Sequence, residues 1–182
     1  MDIYEWANQL EQSGLGEWLR STVRAIPVIN SLHVIGLVLV FGTISVVDLR
    51  LLGIPSTRRS FKLLAGELLK WTWLAFALAV VTGFLMFTAN ATTFYDNTQF
   101  RIKMVLLVLA GINMLVFELI TVRSVHQWDK DQPVPVSAKV AGLLSLVLWM
   151  GVIVFGRWVG YTKGAHIDVQ SIDFNAINSP FF

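Results

Sequence analysis

One histidine lies inside an otherwise uncharged apolar run. From Val28 to Val47 the chain reads VINSLHVIGLVLVFGTISVV, and His33 is its single ionisable group. An imidazole can ligate a metal, carry a proton or simply hydrogen-bond a neighbouring carbonyl. Within a membrane helix it is costly unless it is satisfied or used. Lys103, at the start of a later apolar run, and Arg157, near the end of the last one, stand at a similar depth. Each could hold an anionic group or only snorkel to the membrane interface. Met86 and Met104 are near the same level and offer a thioether sulfur, or core filling. A second set, Asp48, Arg50, Glu118 and Arg123, belongs to the opposite end and reads as structural ion pairs.

These depths follow from the elements that carry the residues. The chain is 55% hydrophobic and 14% charged, with a mean hydropathy of +0.64. Soluble domains carry about 25% charged residues. The composition therefore points to an all-α integral membrane protein, a single membrane domain over residues 1–182. Four apolar stretches match a bilayer in length. They predict spans at about 28–47, 71–88, 102–122 and 139–160. Trp71 and Trp73 open the second span as an interfacial belt. Residues 1–25 contain Asp2, Glu5, Glu11 and Glu17 and lack the continuous apolar core of a signal peptide, so the first span is expected to direct insertion. Within them, residues 3–24 predict one amphipathic helix or two short ones, with Trp6 and Trp18 suited either to a membrane surface or to a cap on the bundle. Residues 161–182 form an extended tail in which Ile167, Val169, Ile172 and Phe174 alternate with polar residues. That pattern suits a strand, docking on a neighbour, or packing on the outer face of its own bundle.

Charge sets the orientation. Of the 14 Lys and Arg residues, eight fall between residues 50–70 and 123–139, the loops after spans one and three. The bias puts those loops in the cytoplasm of a bacterial inner membrane and both termini outside. His33 then lies about 5 residues, or roughly 8 Å, into span one from the outer side. Lys103 and Arg157 share that outer third. Glu118 follows Lys103 by about 22 Å of helix, which separates a cationic outer layer from an inner layer of mixed charge.

Several chemistries are excluded. There is no cysteine, hence no disulfide, thiol catalysis or iron–sulfur cluster. No Gly-x-Ser-x-Gly or zinc-type His/Glu spacing occurs. The small net charge of +2, with basic residues at helix ends, does not suit a nucleic-acid partner. His126 and His166 fall in a loop and in the tail.

The segments IPVINSLHVIGLVLVFG, VVDLRLLG, FRIKMVLLVLAGINMLVF and GRWVGYT resemble an uncharacterised four-helix bacterial inner-membrane family. More distantly the pattern is similar to the CopD (copper-resistance) membrane domain and the HemJ-type protoporphyrinogen oxidase. The likeness to the HemJ type implies that His33 is the first-helix histidine associated with haem b. It also implies that Lys103, in Phe100-Arg101-Ile102-Lys103, is the lysine implicated in activity there. That type carries a further histidine after the lysine; this chain has Asn113 and Met114 in that region, and it has no His/Met-rich copper motif. Three functions are expected to compete. The first is a haem b-binding redox or electron-transfer protein, using His33 with Met86 or Met104 as a second ligand and Lys103 and Arg157 at the propionates. The second is a CopD-like metal or ion transporter with His33 as a transient metal site. The third is an accessory subunit that joins a homo-oligomer or larger membrane complex through its tail.

Overall fold

The computed structural model describes residues 2–54, 61–117, 119 and 134–162. Seven helices are present among them: α1 (Ile3–Glu11), α2 (Gly14–Ser21), α3 (Ala25–Leu52), α4 (Phe61–Ala89), α5 (Ala91–Asp96), α6 (Thr98–Val116) and α7 (Val136–Thr162). No strand occurs among the described residues. Glu118, Arg123, His126, His166 and the tail from residue 163 onward lie outside them.

The four long helices are apolar enough and long enough to cross a bilayer. Their outward faces carry exposed Val38, Leu39, Leu74, Val80, Val108 and Val147, among others. Water would not tolerate so continuous an apolar surface, and lipid requires it. The chain is thus an all-α, multi-pass membrane bundle. The helices overrun the expected spans at most ends, because backbone hydrogen bonding continues past the apolar core into the interface. Pro27 sits in the first turn of α3, where its missing N–H costs no helical bond. Gly53 ends that helix with φ 85°, and Ile54 N–H donates to the Leu49 carbonyl at 2.9 Å. Only glycine adopts that left-handed conformation without strain. The loop expected between spans two and three contains the short α5.

Helix α3 packs against α4 on one side and α7 on the other, and α7 packs against α6. The α3–α4 seam is the tightest. A Cβ on Gly36 would stand 3.2 Å from the Ala75 carbonyl oxygen and 3.2 Å from the Ala79 nitrogen. Gly36, Val40 and Thr43 on α3 recur at helical spacing against Thr72, Ala75 and Ala79 on α4. The Thr72 hydroxyl donates to Thr43 Oγ1 at 2.8 Å. Small residues of this kind let membrane helices approach closely, where dispersion and polar contacts replace the absent hydrophobic drive. Helices α4 and α6 do not pack along their length. Aromatic side chains bridge them at the two ends, Phe87 on Phe100 at 5.7 Å and Phe61 on Phe117 at 5.9 Å. Midway, Val40, Ala75, Ala110, Leu148, Trp149 and Val152 form the buried core.

The two N-terminal helices fold onto the end of the bundle where α3 begins and α4 ends, the end expected outside from the charge bias. Ala7 and Leu19 are buried there, and Trp6 stacks on Phe87 at 6.4 Å. Glu11 Oε2 accepts hydrogen bonds from Thr92 N–H at 2.9 Å and from its hydroxyl at 2.7 Å. Arg20 Nη1 donates to the Ala89 carbonyl at 3.1 Å. The opposite faces expose Ile3, Leu15, Trp18 and Val23. The segment is thus held to the bundle while presenting an apolar side outward.

Two outcomes test this packing. Gly36→Leu forces α3 and α4 apart and is expected to cost about 1–3 kcal/mol, whereas Gly42→Ala, with nothing within 4 Å of its added Cβ, leaves the melting temperature in detergent unchanged or higher. An equal loss in both would contradict the seam. Glu11→Ala is expected to speed amide hydrogen exchange across residues 3–21 while the four long helices keep their protection.

Candidate functional site

In the outer third of the bundle each half contributes one basic side chain laid over a glycine. His33 projects from α3 onto α4. Its Nδ1 lies 2.9 Å from the Ala79 carbonyl oxygen and 3.0 Å from Thr82 Oγ1. A carbonyl can only accept, so Nδ1 carries the proton. The Thr82 hydroxyl donates to the Leu78 carbonyl at 2.6 Å, which leaves its oxygen to accept from the imidazole as well. With Nδ1 protonated, Nε2 of the neutral ring holds a lone pair, and no hydrogen bond reaches it among the described residues. The carbonyl bond expected as the plain alternative for His33 is therefore present, but it uses one nitrogen only.

Gly83 makes this placement possible. A Cβ there would be 3.0 Å from His33 Cε1 and 3.5 Å from Nδ1. Any larger residue would push the ring off the α4 backbone. Lys103 has the matching arrangement in the other half. Its Cδ and Cε lie 3.6 and 3.7 Å from where a Cβ on Gly156 would be, so its stem runs over α7. It is half-buried. No described carboxylate pairs with its ammonium. One turn earlier on the same face, Gln99 presents a buried Oε1 with no hydrogen-bond partner. Met86, half-buried, sits one turn beyond Thr82 on α4.

Two residues at the expected depth face elsewhere. Met104 follows Lys103 by one position, about 100° around the helix. It is 44% exposed and lines a shallow apolar hollow of about 260 Å³ with Val105, Val108 and Leu109, on the lipid side of α6. Arg157 follows Gly156 and is exposed, with its guanidinium 5.6 Å from the Tyr161 ring centroid. Neither meets His33.

At the inner end, Asp48 and Arg50 are both buried, 6% and 3% exposed. The expected pair between them is not formed. Residues two apart on a helix point to different faces. Asp48 lies instead where α7 comes closest, a Cβ on Gly142 standing 3.1 Å from its carbonyl oxygen. Glu118 and Arg123, the other half of the expected ion-pair layer, lie outside the described residues. Between the two layers lies a cluster of buried apolar side chains, with the Thr72–Thr43 hydrogen bond and the Asn113 amide, which donates to the Ala141 carbonyl, near its level. Among the described residues no group of three or more His, Cys, Asp or Glu is arranged for a metal ion.

Thr82, Gly83, Gln99 and Gly156 are absent from the sequence-based set of site residues. Three signals could have found them: the spacing of Ala75, Ala79, Thr82 and Gly83 along one face of α4, the four-residue step from Gln99 to Lys103, and the identical depth of Gly156 and Lys103 on antiparallel spans.

No curated protein and no solved structure matches the chain. A family model does, over residues 3–162, from the N-terminal cap through the last membrane helix. On that match the chain belongs to DUF6644, a family of unknown function.

Proposed function

We propose that this protein binds haem b in the outer third of the membrane and serves in electron transfer, with His33 Nε2 as the axial ligand. One observation carries the reading. The Nδ1–H of His33 is donated to a backbone carbonyl, which holds the ring and leaves the Nε2 lone pair without a hydrogen bond among the described residues. Metal-ligating histidines almost always donate their other N–H in this way, fixing the tautomer and raising the basicity of the ligand. The donor set fits the group. A haem needs an axial nitrogen, a cation for its propionates and a surrounding apolar slot. Here the first two are His33 and the Lys103 ammonium, and the helices around them are apolar over most of their length. Bound there, haem would supply reversible one-electron chemistry.

The chain's own residues have separable parts. Ala79 and Thr82 orient the imidazole. Gly83 leaves room for it. Lys103, which no described carboxylate pairs, offers a positive charge to a propionate. Met86 is the remaining thioether candidate for a second axial position, and a five-coordinate iron with His33 alone is equally compatible. Arg157, turned outward onto Tyr161, leaves the propionate role to Lys103.

The CopD-like transporter reading is weaker, because a transported ion would pass a core built from Val40, Ala75, Ala110, Leu148 and Val152, with few polar side chains near it, Thr43, Thr72 and Asn113. On the charge bias, the haem side faces outside the cytoplasm of a bacterial inner membrane, with both termini on that side. A homo-oligomer or partner subunit would collect or deliver the electron, since the described chain contains one such layer.

Haem content by pyridine haemochromogen assay tests the proposal. The wild-type protein purified from haem-replete cells is expected to hold about one haem b per chain. His33→Ala and Gly83→Val lose it, the first by removing the ligand and the second by displacing the ring. Thr82→Val weakens haem retention by about tenfold. Full haem content in His33→Ala would overturn the assignment.

A further inference from the structure

The N-terminal cap carries an apolar surface that neither the bundle nor the haem reading uses. On α1, Ile3 and Trp6 stand three residues apart and so share a face. On α2, Leu15 and Trp18 do the same. All four are exposed, Trp18 by 56%. Glu5 and Asn8 of α1, and Glu17 and Arg20 of α2, are exposed on other faces, since each residue advances about 100° around a helix. Ala7 and Leu19 are buried against the bundle. Each short helix is thus divided three ways, into a side against protein, an apolar side and a polar side. A cap surrounded by water needs only the first and the last.

The apolar side continues the surface that the bundle turns to lipid. Helix α2 leads through Val23, 88% exposed, into the first turns of membrane helix α3, where Val28 and Leu32 are exposed on one face. Trp6 stacks on Phe87 of α4, one turn from the exposed Phe84. The polar contacts that hold the cap, Arg20 on the Ala89 carbonyl and Glu11 on Thr92, fall at the last residue of α4 and just beyond it. At that level a membrane helix leaves the hydrocarbon, and tryptophan side chains gather there. The joint between α1 and α2 satisfies its own backbone. The Ser13 hydroxyl donates to the Leu10 carbonyl at 2.6 Å and accepts from Gly16 N–H at 3.2 Å. Arg20 Nη1 donates to the Glu11 carbonyl at 2.6 Å. A backbone satisfied in this way does not need full hydration. Charge adds no pull toward an anionic surface, because Asp2, Glu5, Glu11 and Glu17 outnumber Arg20 and Arg24. Apolar burial is then the driving contact, and a zwitterionic lipid suffices.

We propose that α1 and α2 lie in the membrane interface, with Ile3, Trp6, Leu15, Trp18 and Val23 at the acyl boundary of the leaflet where α3 begins and α4 ends. The partner of this surface is the lipid itself. The assignment is independent of haem at His33.

The chain has no cysteine, so cysteines can be introduced one at a time and spin-labelled. The full chain in phosphatidylcholine nanodiscs is probed by collision with oxygen, which concentrates in lipid, and with a water-soluble nickel chelate. Labels at Leu15→Cys and Val23→Cys are expected to collide several-fold more with oxygen than with the chelate, and the label at Glu17→Cys the reverse. Leu15→Cys and Val23→Cys labels as open to the chelate as the Glu17→Cys label would put the cap in water and overturn the proposal. Labels closed to both agents would mean a protein cover, residues 163–182 or a second copy, and would overturn it equally. Should the labelled variants fail to fold, quenching of tryptophan fluorescence by phosphatidylcholine brominated near the headgroup decides. A smaller quenched share in Trp18→Phe than in the wild type supports the interface; an equal share overturns it.

Discussion

The hydrogen bond from His33 to the Ala79 carbonyl exists because two helix backbones lie closer together than ordinary side chains permit. An imidazole on α3 reaches a backbone oxygen of α4 at 2.9 Å only if nothing bulky stands between them. Gly36 one turn inward, Ala75 and Ala79 opposite, and Gly83 beneath the ring clear that space. The same closeness brings Thr43 and Thr72 within hydrogen-bond distance. In lipid, where apolar surface gains nothing by being hidden from water, such contacts must hold the helices together. The seam is therefore both the main packing contact of the first helix pair and the device that fixes the one intramembrane histidine.

Polar chemistry is concentrated at the two ends of the bundle, and that distribution shapes what the protein can do. His33, Lys103 and Gln99 lie toward the capped end, while Asp48, Arg50, Ser45 and Ser145 lie toward the other. The buried cluster between them is apolar, and the polar contacts near its level are few, Thr72 on Thr43 and Asn113 on the Ala141 carbonyl. A charge would have to leave most polar partners to pass from one layer to the other, at a cost of several kcal/mol or more. Electrons tunnel without such partners, and ions do not. The arrangement suits local binding better than passage from end to end. The N-terminal cap adds to the asymmetry, since Glu11 and Arg20 fasten it over the outer layer.

Much of the fold was legible because the bilayer imposes it. Four apolar runs of the right length, a basic bias in two loops and tryptophans at the edges suffice to place four helices and their relative depths. Depth also separated His33 and Lys103 from Asp48. What the pattern could not supply was rotation about each helix axis. Met104 and Lys103 differ by one position and by about 100°, and one meets lipid while the other meets the bundle. Arg157 and Gly156 divide in the same way. In a helix that is apolar all round, periodicity carries no facing signal, so the clue must come from small residues. Gly83 and Gly156 are such clues. Likewise, Asp48 and Arg50 invite pairing as neighbours in the chain, while helix geometry puts them on different faces. The helix α5 was hidden within a stretch whose asparagines and threonines look like loop.

The absorption spectrum of the purified wild-type chain, before and after dithionite, bears most directly on the proposed role of His33. A Soret band that shifts on reduction, with the visible bands of a b-type haem and no such spectrum from His33→Ala, is the predicted result. A protein from haem-replete cells with no visible absorption in either state would contradict it.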